Sequence, residues 1–355
     1  MTQLDYVQPV YYRHSGRTPI VRLLVALVTI LPVVALAGAV YAIIDIYLPM
    51  LRFAKLVLVL AMGLMAGFAF GVGALTGKML MWARVRNLAM VWVVAALAAL
   101  VAWYVAWVTW EWHLFTQYEP QIPKARFLLA LLIRPRGVWL LATEINRVGT
   151  FGIGSGDDLI RGPFLWVLWA IEAAVVLGAA TWVPVRMVRG RAFCERCQKW
   201  GRIRQGVLSV GPTADEDRLR ARLALKDLSA LEELGPADIS APRRLRVDLQ
   251  NCPSCDTMHL LSVYRVDVTY PKGQRTEKVK NLIDRLWLAP EQAKEIEEMK
   301  ERVYGGGGGA GTTPAVDDGS KAEVGGTEAV GPDEHTIEGE PGLPEARPPD
   351  QRMGL

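Results

Sequence analysis

Charge is scarce in this sequence. Of 355 residues only 21% are Asp, Glu, Lys or Arg, against 51% hydrophobic, whereas a soluble domain carries about 25% charge. The missing charge excludes an ordinary soluble enzyme, because the apolar excess gathers in long runs. Cysteine is sparse as well. Its four residues fall in two tight pairs, which excludes a disulfide-rich secreted scaffold. No nucleophile–base pair, phosphate loop or acidic metal cluster is legible, so the sequence reveals no reaction.

What is present is a membrane half. Crossing about 30 Å of hydrocarbon takes roughly 20 apolar helical residues, and four segments qualify: Leu23 to Ile44, Leu56 to Gly77, Leu88 to Trp110 and Pro163 to Val185. The run Phe127 to Ile133 is too short to cross and is expected in the interface or re-entrant. Pro32 should kink the first span. That first run shares features with a signal peptide, since Arg13, Arg17 and Arg22 precede it and Ala35-Leu36-Ala37 mimics a cleavage site. Its apolar stretch runs on to Ile44, beyond the roughly 7 to 15 residues of a signal core, so it reads as a retained span.

Orientation follows from where short loops keep Lys and Arg. Basic residues flank the first span, fill the second loop (Lys78, Arg84, Arg86) and follow the fourth span (Arg186, Arg189, Arg191, Arg196, Lys199). The first loop has only Arg52 and Lys55. Both termini are therefore expected in the cytoplasm of an inner-membrane protein, with the third loop (111–162) outside. Trp103, Trp107, Trp110 and Trp112 suit an aromatic belt at the outer end of the third helix. Within that loop, Gly152-Ile153-Gly154-Ser155-Gly156 lacks the flanking strand and helix of a dinucleotide site and reads as a flexible loop.

Two stripes of small residues, Gly63/Gly67/Gly71 and Ala170/Ala174/Gly178, are expected to let helices approach closely. Glu172 is the one ionisable residue read deep inside a span, roughly opposite the second stripe. No Lys, Arg or His lies at similar depth. One reading makes Glu172 a proton or cation site of a transporter or channel. The plainer reading makes it neutral, hydrogen-bonded to a helix partner or to a neighbouring subunit of a homo-oligomer. Too few other polar groups line these helices for the first reading to lead.

After the fourth span come Cys194-Glu195-Arg196-Cys197 and later Cys252-Pro253-Ser254-Cys255. Two C-x-x-C pairs supply four thiolates that can close a tetrahedral Zn²⁺ site, with Cys194, Cys197, Cys252 and Cys255 as ligands. Such a closed site leaves no position for substrate, so its zinc is structural. A redox pair would need one C-x-x-C in a βαβ context, which is absent. His259 is either a substitute ligand or a strand start, the second being the simpler. Val207/Leu208/Val210, Leu245/Val247/Leu249 and Tyr264/Val266/Val268/Tyr270 read as strands. Knuckle followed by strand, twice, resembles a zinc ribbon over Phe193 to Tyr270. It departs from the usual pattern, because 54 residues separate the pairs where about 15 to 20 are common. That insert carries a capping-box signature, Thr213-Ala214-Asp215-Glu216, and a leucine-rich helix stopped by Gly235-Pro236.

Pro290 opens a last helix, rich in Glu/Lys pairs and poor in apolar positions, expected to be solvated or partner-facing. From Gly305 the chain is Gly, Pro and acidic residues. Ten acidic and three basic side chains give net −7, leaving +11 on the remainder of a chain whose formal charge is +4. This tail should be disordered. The lead Tyr11-Tyr12-x-x-Ser15-Gly16 followed by paired spans is similar to uncharacterised bacterial multispan membrane proteins, a likeness that implies no activity.

The fold class expected is an all-α four-helix transmembrane bundle, then a small α+β zinc-ribbon-like cytosolic domain, then a disordered tail. The segments are a lead (1–22), the membrane domain (23–185), the cytosolic domain (186–303) and the tail (304–355). The basic stretch Arg186 to Arg204 suits anionic lipid head groups first, a protein partner second and nucleic acid last. The leading reading is an interaction or scaffold protein, followed by a small transporter or channel centred on Glu172, then a membrane-bound enzyme.

Overall fold

A computed structural model of the protein describes residues 11–48, 54–118, 121–150, 159–271 and 274–304. The acidic tail, the glycines from Gly152 to Gly156 and Arg52 of the first loop lie outside the described residues. Four helices carry the apolar runs: α1 (Ile20–Tyr47), α2 (Ala54–Trp82), α3 (Leu88–Tyr118) and, after two shorter helices, α6 (Pro163–Gly190). Each contains a stretch of 24 to 30 residues long and apolar enough to cross a membrane, at 1.5 Å per residue more than the hydrocarbon core requires. Apolar residues surround these helices rather than forming one stripe, as buried or lipid-facing helices do. The chain is a membrane protein on this ground. α1 continues through Pro32 as helix.

Helix α1 lies on α3, α2 on α6, and α3 on α6. The glycines that permit these approaches are not the expected ones. A Cβ on Gly38 would meet the Ala102 carbonyl oxygen at 2.1 Å, and one on Gly73 or Gly77 would meet Val183 or Met187 at 2.8 and 2.6 Å. At Gly63, Gly67, Gly71 and Gly178 a Cβ would meet nothing within 4 Å, and Ala170 and Ala174 are exposed. The repeat of four does define a face, but it is the bundle's outer face. Gly73 and Gly77 repeat at the same spacing on the neighbouring face, where α6 crosses.

The described part of the long loop is largely helical. It forms α4 (Lys124–Ile133) and α5 (Pro135–Val148), too short to cross yet packed on the bundle. Tyr104 of α3 donates its hydroxyl to the Leu131 carbonyl at 2.7 Å, and Trp112 Nε1 donates to the Lys124 carbonyl at 3.0 Å. The expected tryptophan belt is one part of a longer chain of ring contacts, mostly edge to face. Trp103, Trp107, Trp110, Trp169 and Trp166 follow in contact across α3 and α6 and reach Trp139 of α5.

After α6 the chain becomes strand-rich: β1 (Phe193–Cys194), β2 (Lys199–Trp200), β3 (Arg202–Val210), β4 (Arg243–Asn251), β5 (His259–Thr269) and β6 (Thr276–Leu288). β1 and β2 form a small hairpin, and β3-β4-β5-β6 form an antiparallel sheet in that order. Strand β6 is not predicted by the sequence pattern. Its first half is exposed and its register shifts against β5 around Val263, so its apolar residues do not alternate cleanly.

Between β3 and β4 the single expected helix is two, α7 (Glu216–Ala224) and α8 (Ser229–Glu232). The cap is Asp215, whose carboxylate accepts from Arg218 N–H at 2.8 Å, rather than Thr213. The break falls at Lys226, whose φ of +64° is left-handed, with Asp227 accepting from Ser229 Oγ at 2.6 Å. Helix α9 (Pro290–Tyr304) is not fully solvated. Ala293, Ile296 and Met299 are buried, and the last two join Leu219, Leu223 and Leu231 in the core with Leu208, Val247, Val263 and Ile283. Three residues at spacing three suffice to dock it, a pattern the many charges concealed.

Candidate metal centre

The four cysteines meet because of sheet register. Cys194 ends β1, and Cys197 lies in the turn to β2, where Cys194 pairs with Lys199. Cys252 follows β4 directly, with its N–H donating to the Met258 carbonyl at 3.1 Å. The antiparallel pair Arg202↔Asn251 sets the start of β3 against the end of β4, so the knuckle before β3 and the knuckle after β4 share one end of the sheet. The insert leaves at the other end, where Val210 pairs with Leu245. Its length therefore does not disturb the cluster. Lys199 Nζ, just past the first knuckle, donates to Ser254 Oγ inside the second at 2.8 Å.

The four sulfurs all lie within 4.8 Å of one another, and Cys194 Sγ stands 3.7 Å from Cys255 Sγ. Tetrahedral coordination at a metal–sulfur distance of about 2.3 Å gives sulfur–sulfur edges of about 3.8 Å. A disulfide would need about 2.05 Å, and all four thiols are free. The donor set can hold one soft cation. Cys194 and Cys252 are buried, packed with Tyr12, Ala192, Met258 and Leu260, while Cys197 and Cys255 are partly exposed. The thiols are electrostatically unlike. Thr257, with its hydroxyl 3.0 Å away, holds the Cys255 thiol down at about 6. Hydrogen bonding to Cys255 pushes Cys197 up to about 12, and burial raises Cys252.

The cluster also forms the joint between sheet and bundle. Glu195, inside the first knuckle, pairs with the buried Arg86 just before α3 and accepts from Ser15 Oγ at 2.7 Å. The Arg86 guanidinium lies over the Phe193 ring, 4.5 Å from its centroid. Trp200 Nε1 donates to the Met81 carbonyl of α2 at 2.7 Å. The lead segment closes the joint from the side: Tyr12 N–H donates to the Arg285 carbonyl, and the Tyr12 hydroxyl accepts from Phe193 N–H, both at 2.9 Å. Sequence reasoning found the thiols through spacing but missed Tyr12, Arg86, Glu195 and Thr257, which carry no spacing signal. His259 is not among the clustered donors. It is the buried first residue of β5, opposite Asn251 and Leu288.

Glu172 lies well away, inside the bundle. Tyr41 of α1 donates its hydroxyl to Glu172 Oε1 at 3.0 Å, and the Tyr41 ring stacks on Phe68 of α2 at 4.4 Å. The carboxyl thus ties α6 to α1. It is not the only acidic group in these helices. Asp45 in α1 and Glu111 in α3 are each the residue just beyond an expected span end, and both helices extend past them. Glu111 is 0% exposed, and neither of its carboxylate oxygens has a hydrogen-bond partner among the described residues.

The chain matches no family model, no curated protein and no solved structure.

Proposed function

We propose that the protein is an inner-membrane anchor that presents a structural zinc module to the cytosol and works by interaction or scaffolding. The observation that carries this reading is the four-thiol cluster at the joint of bundle and sheet. Zinc favours a tetrahedral all-thiolate site, and a closed one is structural rather than catalytic. A metal ion there locks both knuckles, and through Glu195 and Trp200 it fixes the sheet's pose on the membrane end. A sheet held rigidly at the surface is suited to display a face to a protein partner. The zinc-ribbon likeness describes the two knuckles, and the insert with β6 and α9 extends it.

Orientation with both termini in the cytoplasm is part of the same proposal. Its support is the basic character of the bundle end bearing the sheet, where Arg17, Arg22, Arg84, Arg86, Arg186 and Arg189 gather. The transporter reading centred on Glu172 ranks second. The Tyr41 bond gives that carboxyl a structural duty, and the described bundle offers few further polar groups. The test is metal analysis of the purified full chain together with affinity purification from native membranes. One zinc per chain, lost in Cys252→Ser, and a cytosolic protein recovered in stoichiometric amount are expected. A metal-free cluster, or a stable disulfide in reducing buffer, refutes the module. Recovery of the chain alone refutes the scaffold role.

A further inference from the structure

Where α6 leaves the bundle, a cleft of about 560 Å³ opens between the helices and the sheet, within the roughly 300–1,000 Å³ range of ligand sites. Its two walls differ in character. The bundle wall is formed by Trp92 of α3 and by Trp182, Arg186 and Arg189 of α6. Both tryptophans are 48% exposed. They flank the cleft at the end of their helices where aromatic rings favour the boundary between hydrocarbon and head groups. The sheet wall is mostly polar, with Gln250 of β4, Tyr264 of β5 and Asn281 of β6 beside the apolar Ile203 and Leu249.

The charges of this cleft are not balanced by the protein. Arg186 and Arg189 sit three residues apart, on one face of α6. Neither has a carboxylate within ion-pair distance among the described residues, whereas Arg285 in the same lining does. Arg186 instead rests over the Trp182 ring, 5.0 Å from its centroid, a cation held at the mouth by an aromatic face. The two carboxylates in the lining are already engaged. Asp248 pairs with Arg246 at 3.0 Å and Asp284 with Arg285 at 3.0 Å. Arg285 also donates to the Arg189 carbonyl at 2.9 Å, which staples β6 to α6 and fixes the cleft's width.

We propose that this cleft binds one anionic glycerophospholipid. Its phosphate sits against Arg186 and Arg189, its polar head group faces Gln250 and Asn281, and its acyl chains run down the bundle beside Trp92 and Trp182. The shared chemistry is a phosphate on a glycerol backbone, and the exposed tryptophans of the bundle wall select the lipid over the free phosphate. This goes beyond the zinc-module reading and depends only on the bundle lying in a membrane.

The test is native mass spectrometry of the delipidated full chain in detergent, titrated with equal amounts of phosphatidylglycerol and phosphatidylcholine. One phosphatidylglycerol per chain is expected, preferred at least tenfold. The preference should fall to within twofold in Arg186→Gln/Arg189→Gln and persist in Arg22→Gln, an exposed arginine at the same bundle end outside the cleft. Equal uptake of the two lipids by the wild type overturns the proposal, as does an equal loss in Arg22→Gln. Displacement of the lipid by glycerol phosphate at the same concentration overturns the choice of a lipid. Should the double variant fail to fold, the wild-type preference and the glycerol phosphate competition decide alone.

Discussion

Gly38→Ala offers the sharpest test of how the bundle is built. Its new Cβ would lie 2.1 Å from the Ala102 carbonyl oxygen and 3.2 Å from Ala106 N. An ordinary contact needs 3.4 Å or more, so α1 and α3 must separate by about 1 Å. The obstruction is backbone and cannot rotate away. A gap of about 0.5–1 Å forfeits a quarter to a half of each dispersion contact along the seam, and overpacking of this kind costs about 1–3 kcal/mol. Gly67→Ala is the matched control, because nothing lies within 4 Å of its Cβ and alanine is the better helix former by about 1 kcal/mol. Thermal unfolding of the full chain in one detergent should show Gly38→Ala melting about 5 °C below wild type, with Gly67→Ala at or above it. Equal melting of the two variants, or a larger loss in Gly67→Ala, refutes this arrangement of the helices.

Glu172→Gln keeps an acceptor for the Tyr41 hydroxyl and should fold like wild type, whereas Glu172→Leu strands that hydroxyl at about 1–3 kcal/mol; a proton-dependent current in vesicles, lost in Glu172→Gln, would instead establish the transporter reading. A reporter fused after Gly311 should read cytoplasmic and one inserted at Gly154 external, and a cytoplasmic signal at Gly154 would overturn the orientation. Glu216 accepts from Lys280 at 2.9 Å and from Arg265, and these partners, Lys280 first, hold its carboxyl below the ordinary range. A depressed carboxyl stabilises fully above its unfolded value of about 4.3 and loses that contribution as pH falls through the lower folded one. Hydrogen exchange of α7 should therefore rise only below about pH 4, and Glu216→Gln should raise it at neutral pH; unchanged exchange in that variant would refute the clamp.

Much of the chain is legible in its sequence. Runs of twenty or more apolar residues must become spanning helices, because lipid offers the backbone no other partner. Two C-x-x-C pairs can share one metal ion because thiols at that spacing turn toward one point. The alternating run Leu245, Val247 and Leu249 becomes β4 for a similarly local reason, since every second side chain of a strand faces the core.

Other features waited on the tertiary structure, since each depends on which remote surfaces meet. Gly63, Gly67 and Gly71 look like a helix seam, yet Gly38, Gly73 and Gly77 are the seam, because a repeat of four defines a face without saying what it faces. The 54-residue gap between the cysteine pairs looks like a departure from the pattern, but the Arg202↔Asn251 register closes it regardless of length. Tyr12 and Glu195 join lead, sheet and bundle through single hydrogen bonds and one ion pair. Periodicity and spacing are local properties of the chain, so they determined the helices and the thiols. Register, crossing points and ion pairing are set by long-range packing, and only the folded chain decides them.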